Sequence, residues 1–395
     1  MFYLFNNIRD KEIFDSILEY TKNTSNKDEM ISNLINFAYD KKITGNIWHK
    51  YIIYSLIYNE NPYSLYLENN KNKITLDKYA YSDLEKYYSL YSFKIDNLNE
   101  ITNLDYKVKD KPYLSNILDK LEAKIDSLDS FISEIIKFYQ TKGIGHMALY
   151  KAFRVDDEGE IYPIKHVLDI SFDDLIGCER QKAELKKNTE NFISGKRYNN
   201  VLLYGDSGTG KSTSIKALLN EYFDKGLRIV EIYKHEMNRI PKIVYKLKSR
   251  PYFYIIYMDD LSFDESEIEY KYLKSVIEGG IEPKPNNVAI YATSNRKHLI
   301  KESIADNGGV FDDLHRAETE AEKLSLAYRF GLQLFYSSLS YDEFKNMVIE
   351  LARRAKVNID EKELLLEANK FQMTFGSLSG RCASQFISYI SNKDK

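Results

Sequence analysis

Residues 201–223, VLLYGDSGTGKSTSIKALLNEYF, decide the fold. Val201 to Tyr204 is a short apolar run of the kind that forms a strand covered on both faces. Gly205, Asp206, Ser207, Gly208, Thr209, Gly210, Lys211 and Ser212 then read G-x-x-x-x-G-K-S, with Thr213 next, and the stretch to Phe223 has helical periodicity. Glycines at that spacing let the backbone wrap so that successive N–H groups and the following helix N-terminus cradle phosphate oxygens. In such a loop Lys211 neutralises β/γ-phosphate charge and the Ser212 hydroxyl is placed to coordinate Mg2+. The implied ligands are ATP and Mg2+. The alternative, a glycine-rich turn with a solvent-facing lysine, would make the strand before it and the helix after it coincidental.

Downstream, short β-rich runs at Arg228 to Ile232, Tyr254 to Met258, Val288 to Tyr291 and Leu332 to Phe335 alternate with helical segments. That alternation predicts an α/β fold, a parallel sheet flanked by helices. The run Tyr254 to Met258 delivers Asp259 and Asp260 at its C-terminal end, the edge where open α/β sheets bind ligands. Asp259 is expected to hold Mg2+, and Asp260 to orient or deprotonate the attacking water. The competing reading is a pair of acids capping the next helix. The run Val288 to Tyr291 continues into Ala292, Thr293, Ser294 and Asn295.

Taken in order, these elements resemble the AAA+ ATPase superfamily. The resemblance implies that Asn295 positions the water against the γ-phosphate (sensor 1). It also implies that Arg329, in YRFG before the last strand, is an arginine finger reaching a neighbouring subunit's ATP, and that Arg381, in SGRCA, is the lid arginine (sensor 2). Ile176 and Gly177, in DLIG, resemble the adenine-side box. The resemblance covers about residue 169 to the C-terminus. The wording DDLSFDESEIEYKYLKSVIEGGIEPKPNNVAIYATSNRKHLI, with LSLAYRFGLQLF later, is most similar to the bacterial domain-of-unknown-function 815 ATPases. It implies a P-loop NTPase core acting as a homo-oligomeric ring, such as a hexamer, on a protein or nucleic-acid client that the sequence does not identify, with protein favoured.

The chain's 395 residues exceed a comfortable single core. Residues 1–165 read as a helical N-terminal domain, with apolar periodicity in Ile13 to Tyr20, Met30 to Tyr39, Trp48 to Tyr58 and Ile117 to Tyr139. The acidic run RVDDEGEIYP (154–163) reads as a connector. Residues 166–340 make the ATPase core and 341–395 a small helical C-terminal lid.

A net charge of −3 gives no basic field suited to nucleic acid or an anionic membrane. No stretch approaches the roughly 18 apolar residues of a spanning helix, so the expectation is a soluble cytoplasmic protein. Cys178 and Cys382 form no disulfide or metal spacing and read as small hydrophobes beside the adenine-side box and Arg381. His298, three residues after Asn295, is expected to pack or hydrogen-bond and not to catalyse.

Two departures from the superfamily pattern matter. Asp260 stands where a glutamate is usual, and slow hydrolysis is the consequence to expect. No aromatic-hydrophobic-glycine loop follows the second strand; in its place runs YKHEMNRIPKIVYKLKSRP, basic through Lys234, Arg239, Lys242, Lys246, Lys248 and Arg250. Nucleic-acid contact there is the minority reading against a solvated helix face. Two functions stay open: an ATPase coupling hydrolysis to conformational change, and a nucleotide-gated scaffold or switch with little hydrolysis.

Overall fold

The computed structural model describes residues 2–23, 26–69, 75–94, 104, 112–263, 267, 269–278, 284–296, 299 and 326–393. The chain divides into two compact units, Met1–Tyr150 and Lys151–Lys395.

The first unit is helical: α1 (Lys11–Asn23), α2 (Lys27–Lys41), α3 (Ile47–Tyr58), α4 (Pro62–Asn69), α5 (Asp77–Tyr91), α6 (Tyr113–Glu122), α7 (Leu128–Thr141) and α8 (Gly145–Leu149). Helix α3, IWHKYIIYSLIY, is largely apolar and buried on nearly every side, which places it at the centre with helices packed around it. Trp48, Tyr51, Tyr54 and Ile57 are buried, and the indole N–H of Trp48 donates to the Leu90 carbonyl at 2.9 Å. Lys50 on this helix is buried too, and is paired with Asp119 at 2.6 Å and Glu122 at 3.6 Å. At the start of the chain the buried carboxylate of Asp83 accepts backbone N–H bonds from Tyr3, Leu4 and Phe5.

The periodic stretch Ile117 to Tyr139 is two helices. The chain leaves α6 after Glu122 and restarts at Ser127, whose hydroxyl accepts the Ser130 N–H while the Ser130 hydroxyl accepts the Ser127 N–H. This reciprocal cap satisfies two orphan donors and fixes the break.

The second unit carries a seven-stranded sheet among the described residues. Its elements are β1 (Ala152–Val155), β2 (Ile161–Pro163), α9 (Glu179–Ile193), β3 (Val201–Gly205), α10 (Lys211–Tyr222), β4 (Leu227–Glu231), α11 (Ile240–Leu247), β5 (Phe253–Met258), α12 (Glu269–Glu278), β6 (Val288–Ser294) and β7 (Leu332–Tyr336). Strand order is β2-β1-β4-β5-β6-β3-β7, parallel throughout except for the β1–β2 hairpin. Every residue of β6 and all but the first of β5 are buried, as strands covered on both faces require.

The stretch 151–163 read above as connector and N-terminal domain is the sheet's edge, and the seam falls at Tyr150 instead. Four residues and three residues are too short to announce themselves as strands. The turn between them is closed locally: Asp156 Oδ1 accepts the N–H groups of Glu158 and Glu160, and Gly159 takes φ +75°. Its acids then meet the basic segment. Arg239 contacts Asp157 at 2.9 Å, Lys246 contacts Glu160 at 2.5 Å and Lys242 contacts Glu160 at 3.5 Å. Lys234 pairs with Glu267.

Among the described residues three further helices follow, α13 (Tyr341–Ala355), α14 (Glu361–Phe375) and α15 (Gly380–Lys393). Phe344, Val348, Leu364, Ala383 and Phe386 form their common core. Ser340 and Glu343 cap α13 reciprocally. No helix among the described residues is long and apolar enough to cross a membrane.

Candidate functional site

Strand β3 runs between β6 and β7, while its successor β4 lies on the far side of β5 and β6. The strand order therefore switches at β3, and a crevice opens beyond the C-terminal ends of β3, β5 and β6. A cavity of about 620 Å3 occupies that crevice, lined by the loop Ser207 to Thr213, by Asp259, Asp260, Thr293 and Asn295, and by Arg381.

The loop's shape follows from its glycines. Gly208 and Gly210 take φ +77° and +97°, in the left-handed region where a side chain is strained. Gly208 also makes room for the helical lid: a Cβ there would stand 2.9 Å from Arg381 Cβ and 3.1 Å from Ser379 Oγ. Helix α10 begins at Lys211, so its unpaired N–H groups and the positive end of its dipole face the cavity.

Lys211 Nζ donates to the carbonyls of Gly205 and Asp206, at 2.7 and 2.6 Å, and to Asn295 Oδ1 at 3.1 Å. Burial lowers the pKa of this ammonium, opposed by the negative charges of Asp260, Asp206 and Asp259. The Ser212 hydroxyl donates to Asp259 Oδ1 at 2.7 Å, and Asn295 Nδ2 donates to Asp260 Oδ1 at 2.7 Å. Burial alone would raise the Asp259 pKa, but hydroxyl donors from Thr293, Ser212 and Tyr257 outweigh it and hold the carboxyl below its ordinary value. Asp260 has φ +51°, a left-handed backbone that Asp and Asn tolerate better than other side chains. This conformation favours the shorter acid at a position where the resemblance led us to expect glutamate.

From the lid, the Arg381 backbone N–H donates to the Gly208 carbonyl at 3.2 Å, and its guanidinium reaches Ser207 Oγ at 3.4 Å. Arg354 on α13 donates to the Asp173 carbonyl at 2.7 Å, tying the lid to the segment before α9. Leu175 and Ile176 from that segment and Leu339, Met347 and Leu351 from the lid give the cavity an apolar end. This apolar end adjoins the loop that leads to Lys211.

Some anticipated residues stand elsewhere. Gly205 ends β3 beneath the loop, and Asp206 faces an adjoining cavity with Ser338, whose hydroxyl it accepts at 2.6 Å. Gly177 takes φ +81° and does not line the main cavity; its neighbours Ile176 and Cys178 do. Arg329 precedes β7, at the end of the sheet opposite the loop. His298 lies outside the described residues.

Thr293, Tyr257 and Arg354 were not anticipated. Thr293 lies within the ATSN stretch and Tyr257 stands two residues before Asp259, a spacing that shares a strand face, so both carried a readable signal. Arg354 carried none.

The donor set suits the implied ligands. A Mg2+ ion is held by one or two carboxylate or hydroxyl oxygens together with phosphate and water oxygens, which Asp259 and Ser212 supply; when bound, it neutralises charge on the phosphates.

A family model described as a protein of unknown function (DUF815) matches residues 148–394. Among curated proteins none matches the chain. Solved structures of Thermotoga maritima RuvB, a Holliday junction branch migration motor, match at 15% identity and a TM-score of 0.34, over 55% of this chain and 71% of that one. A single-substitution variant of RuvB matches at 16% with the same score and coverage.

Proposed function

The chain belongs to the DUF815 family, and on that premise we propose that it is an ATP-binding ATPase of AAA+ type whose nucleotide state moves its lid within a homo-oligomer. The observation that carries this reading is the convergence of Lys211, Ser212, Asp259, Asp260, Asn295 and Arg381 on one cavity from four separate segments. In hydrolysis a water attacks the γ-phosphorus as the bond to the β-bridging oxygen breaks. Asp260 orients that water and accepts its proton, Asn295 holds it in line, and Lys211 and Arg381 carry charge on the phosphates. Because Arg381 touches both Ser207 and Gly208, a phosphate entering the loop acts directly on the lid's docking point.

Arg329 lies too far along the sheet to serve its own loop, so in this reading it completes a neighbouring subunit's site, as a ring provides. Of the two client classes, protein is favoured over nucleic acid in this reading, since Arg239, Lys242 and Lys246 of the basic segment are paired with the acidic β1–β2 turn.

A second reading, a nucleotide-gated scaffold with little hydrolysis, draws on Asp260, whose side chain is one methylene short and engaged by Asn295. Phosphate release at steady state separates the two. Turnover that is concentration-dependent and lost in Asp260→Asn supports the ATPase; ATP binding and assembly without phosphate release supports the scaffold.

A further inference from the structure

Three hydroxyls converge on one carboxylate oxygen. Asp259 Oδ1 accepts from Ser212 Oγ at 2.7 Å, from Thr293 Oγ1 at 2.5 Å and from Tyr257 OH at 2.7 Å. Ser212 belongs to the phosphate loop, and Thr293 has a second task, accepting the Asp260 N–H at 2.9 Å. Tyr257 has neither duty. It is 3% exposed in the middle of a parallel sheet, where phenylalanine would fill nearly the same volume without bringing a hydroxyl that must be satisfied. What the hydroxyl adds is a charge-assisted bond to Asp259, stronger and more directional than a neutral one.

Building on the ATP-binding reading above, we infer that Tyr257 is a positioning residue for the cation that accompanies ATP. Its hydroxyl and that of Thr293 fix the Asp259 carboxylate from the strand side. The fixed carboxylate accepts the Ser212 O–H hydrogen bond, which turns the Ser212 lone pairs toward the cavity, and Asp259 Oδ2 accepts none of the three bonds. Two oxygens on one wall are thereby aimed before any ion arrives, and the orienting group lies behind them, out of reach of nucleotide. Outer groups of this kind tune metal affinity about 10- to 100-fold. With Thr293 still in place, the lower end applies to loss of Tyr257 alone.

The test uses the full chain and a fluorescent ATP analogue followed by anisotropy, in EDTA and across a Mg2+ titration. Tyr257→Phe keeps the ring and is expected to bind the analogue in EDTA within about twofold of wild type. The Mg2+ concentration giving half of the Mg2+-dependent gain is expected to rise about tenfold. Electron paramagnetic resonance with Mn2+, which counts bound ion without turnover, should show the same shift. In an Asp259→Asn background, Tyr257→Phe should add nothing. An unchanged Mg2+ midpoint, equal weakening in EDTA and in Mg2+, or full additivity with Asp259→Asn overturns the inference while leaving ATP binding intact. A wild-type chain that ignores Mg2+ altogether overturns the ATP·Mg2+ reading beneath it.

Discussion

Asn295 spans Lys211 and Asp260. Its Oδ1 accepts from the lysine ammonium at 3.1 Å and its Nδ2 donates to the carboxylate at 2.7 Å, so one amide sets the distance between the phosphate-binding cation and the proposed base. Asn295→Ala should lower turnover by about 10² to 10³, the usual effect of removing one preorganised polar group from a reaction centre. Affinity for a non-hydrolysable ATP analogue should hardly change. Parallel losses of binding and turnover would instead make Asn295 part of the loop's scaffold.

The left-handed backbone of Asp260 separates chemistry from stability. Asp260→Asn should unfold in urea within about 0.5 kcal/mol of wild type, as expected for a residue equally tolerant of that conformation, while phosphate release disappears. Asp260→Glu should be less stable by about 1 kcal/mol, because a longer side chain in the left-handed region meets the backbone. Equal stability of the glutamate variant would remove the conformational reason for aspartate.

Two glycines with similar backbone handedness differ in their surroundings. A Cβ on Gly205 would lie 1.9 Å from the Tyr336 carbonyl oxygen on the neighbouring strand, whereas one on Gly177 would meet nothing within 4 Å. Gly205→Ala should therefore be the more damaging, destabilising by about 3 kcal/mol or more through strand displacement. Gly177→Ala should lose only the left-handed penalty of about 1–2 kcal/mol. Denaturant midpoints of the two variants check the order.

Arg329 and the phosphate loop stand at opposite ends of the sheet, separated by the five residues of β7 and thus by about 16 Å of strand. Arg329→Ala should reduce turnover by about 10³ or more and spare ATP binding, as for a finger supplied in trans. Mixing inactive Arg329→Ala with inactive Lys211→Ala should restore part of the activity, since each supplies what the other lacks. A mixture as inert as its components would take Arg329 out of this role.

In the helical unit, burial and then the charge of Arg9 depress the His146 pKa from 6.5 to about 4. The ring is a neutral partner between Arg9 at 2.9 Å and the Tyr58 hydroxyl at 2.6 Å. A histidine with a depressed folded pKa contributes stability that is complete above pH 6.5 and lost as pH falls toward 4, because the unfolded chain takes up the proton first. The loss is on the order of 3 kcal/mol. His146→Gln should flatten the dependence of stability on pH across that window, measured by urea unfolding at a series of pH values.

The P-loop, the acids after β5 and the ATSN stretch were legible because each is a short run of residues whose chemistry and strand context are local. Strands β3 to β7 announced themselves as apolar runs, and the structure places them within a residue or two of those readings, with β6 extending further, to Ser294. The β1–β2 hairpin did not, because Phe153 to Val155 finds its partners in Pro163 to Ile161 and in the distant β4. The charge of the basic segment could not be weighed in isolation, since the acids that pair with Arg239, Lys242 and Lys246 lie some 80 residues earlier.

By itself the sequence determined that this protein is a P-loop α/β protein with helical regions on either side of the core, because glycine spacing and hydrophobic period are properties of contiguous residues. Only the tertiary structure decided that Arg381 rests on the loop through the space Gly208 leaves, that Asp260 is held left-handed beside Asn295, and that Tyr257 stands behind Asp259. Those relationships depend on which strands become neighbours, and strand order follows from burying all the apolar surface at once, a condition that no single segment contains.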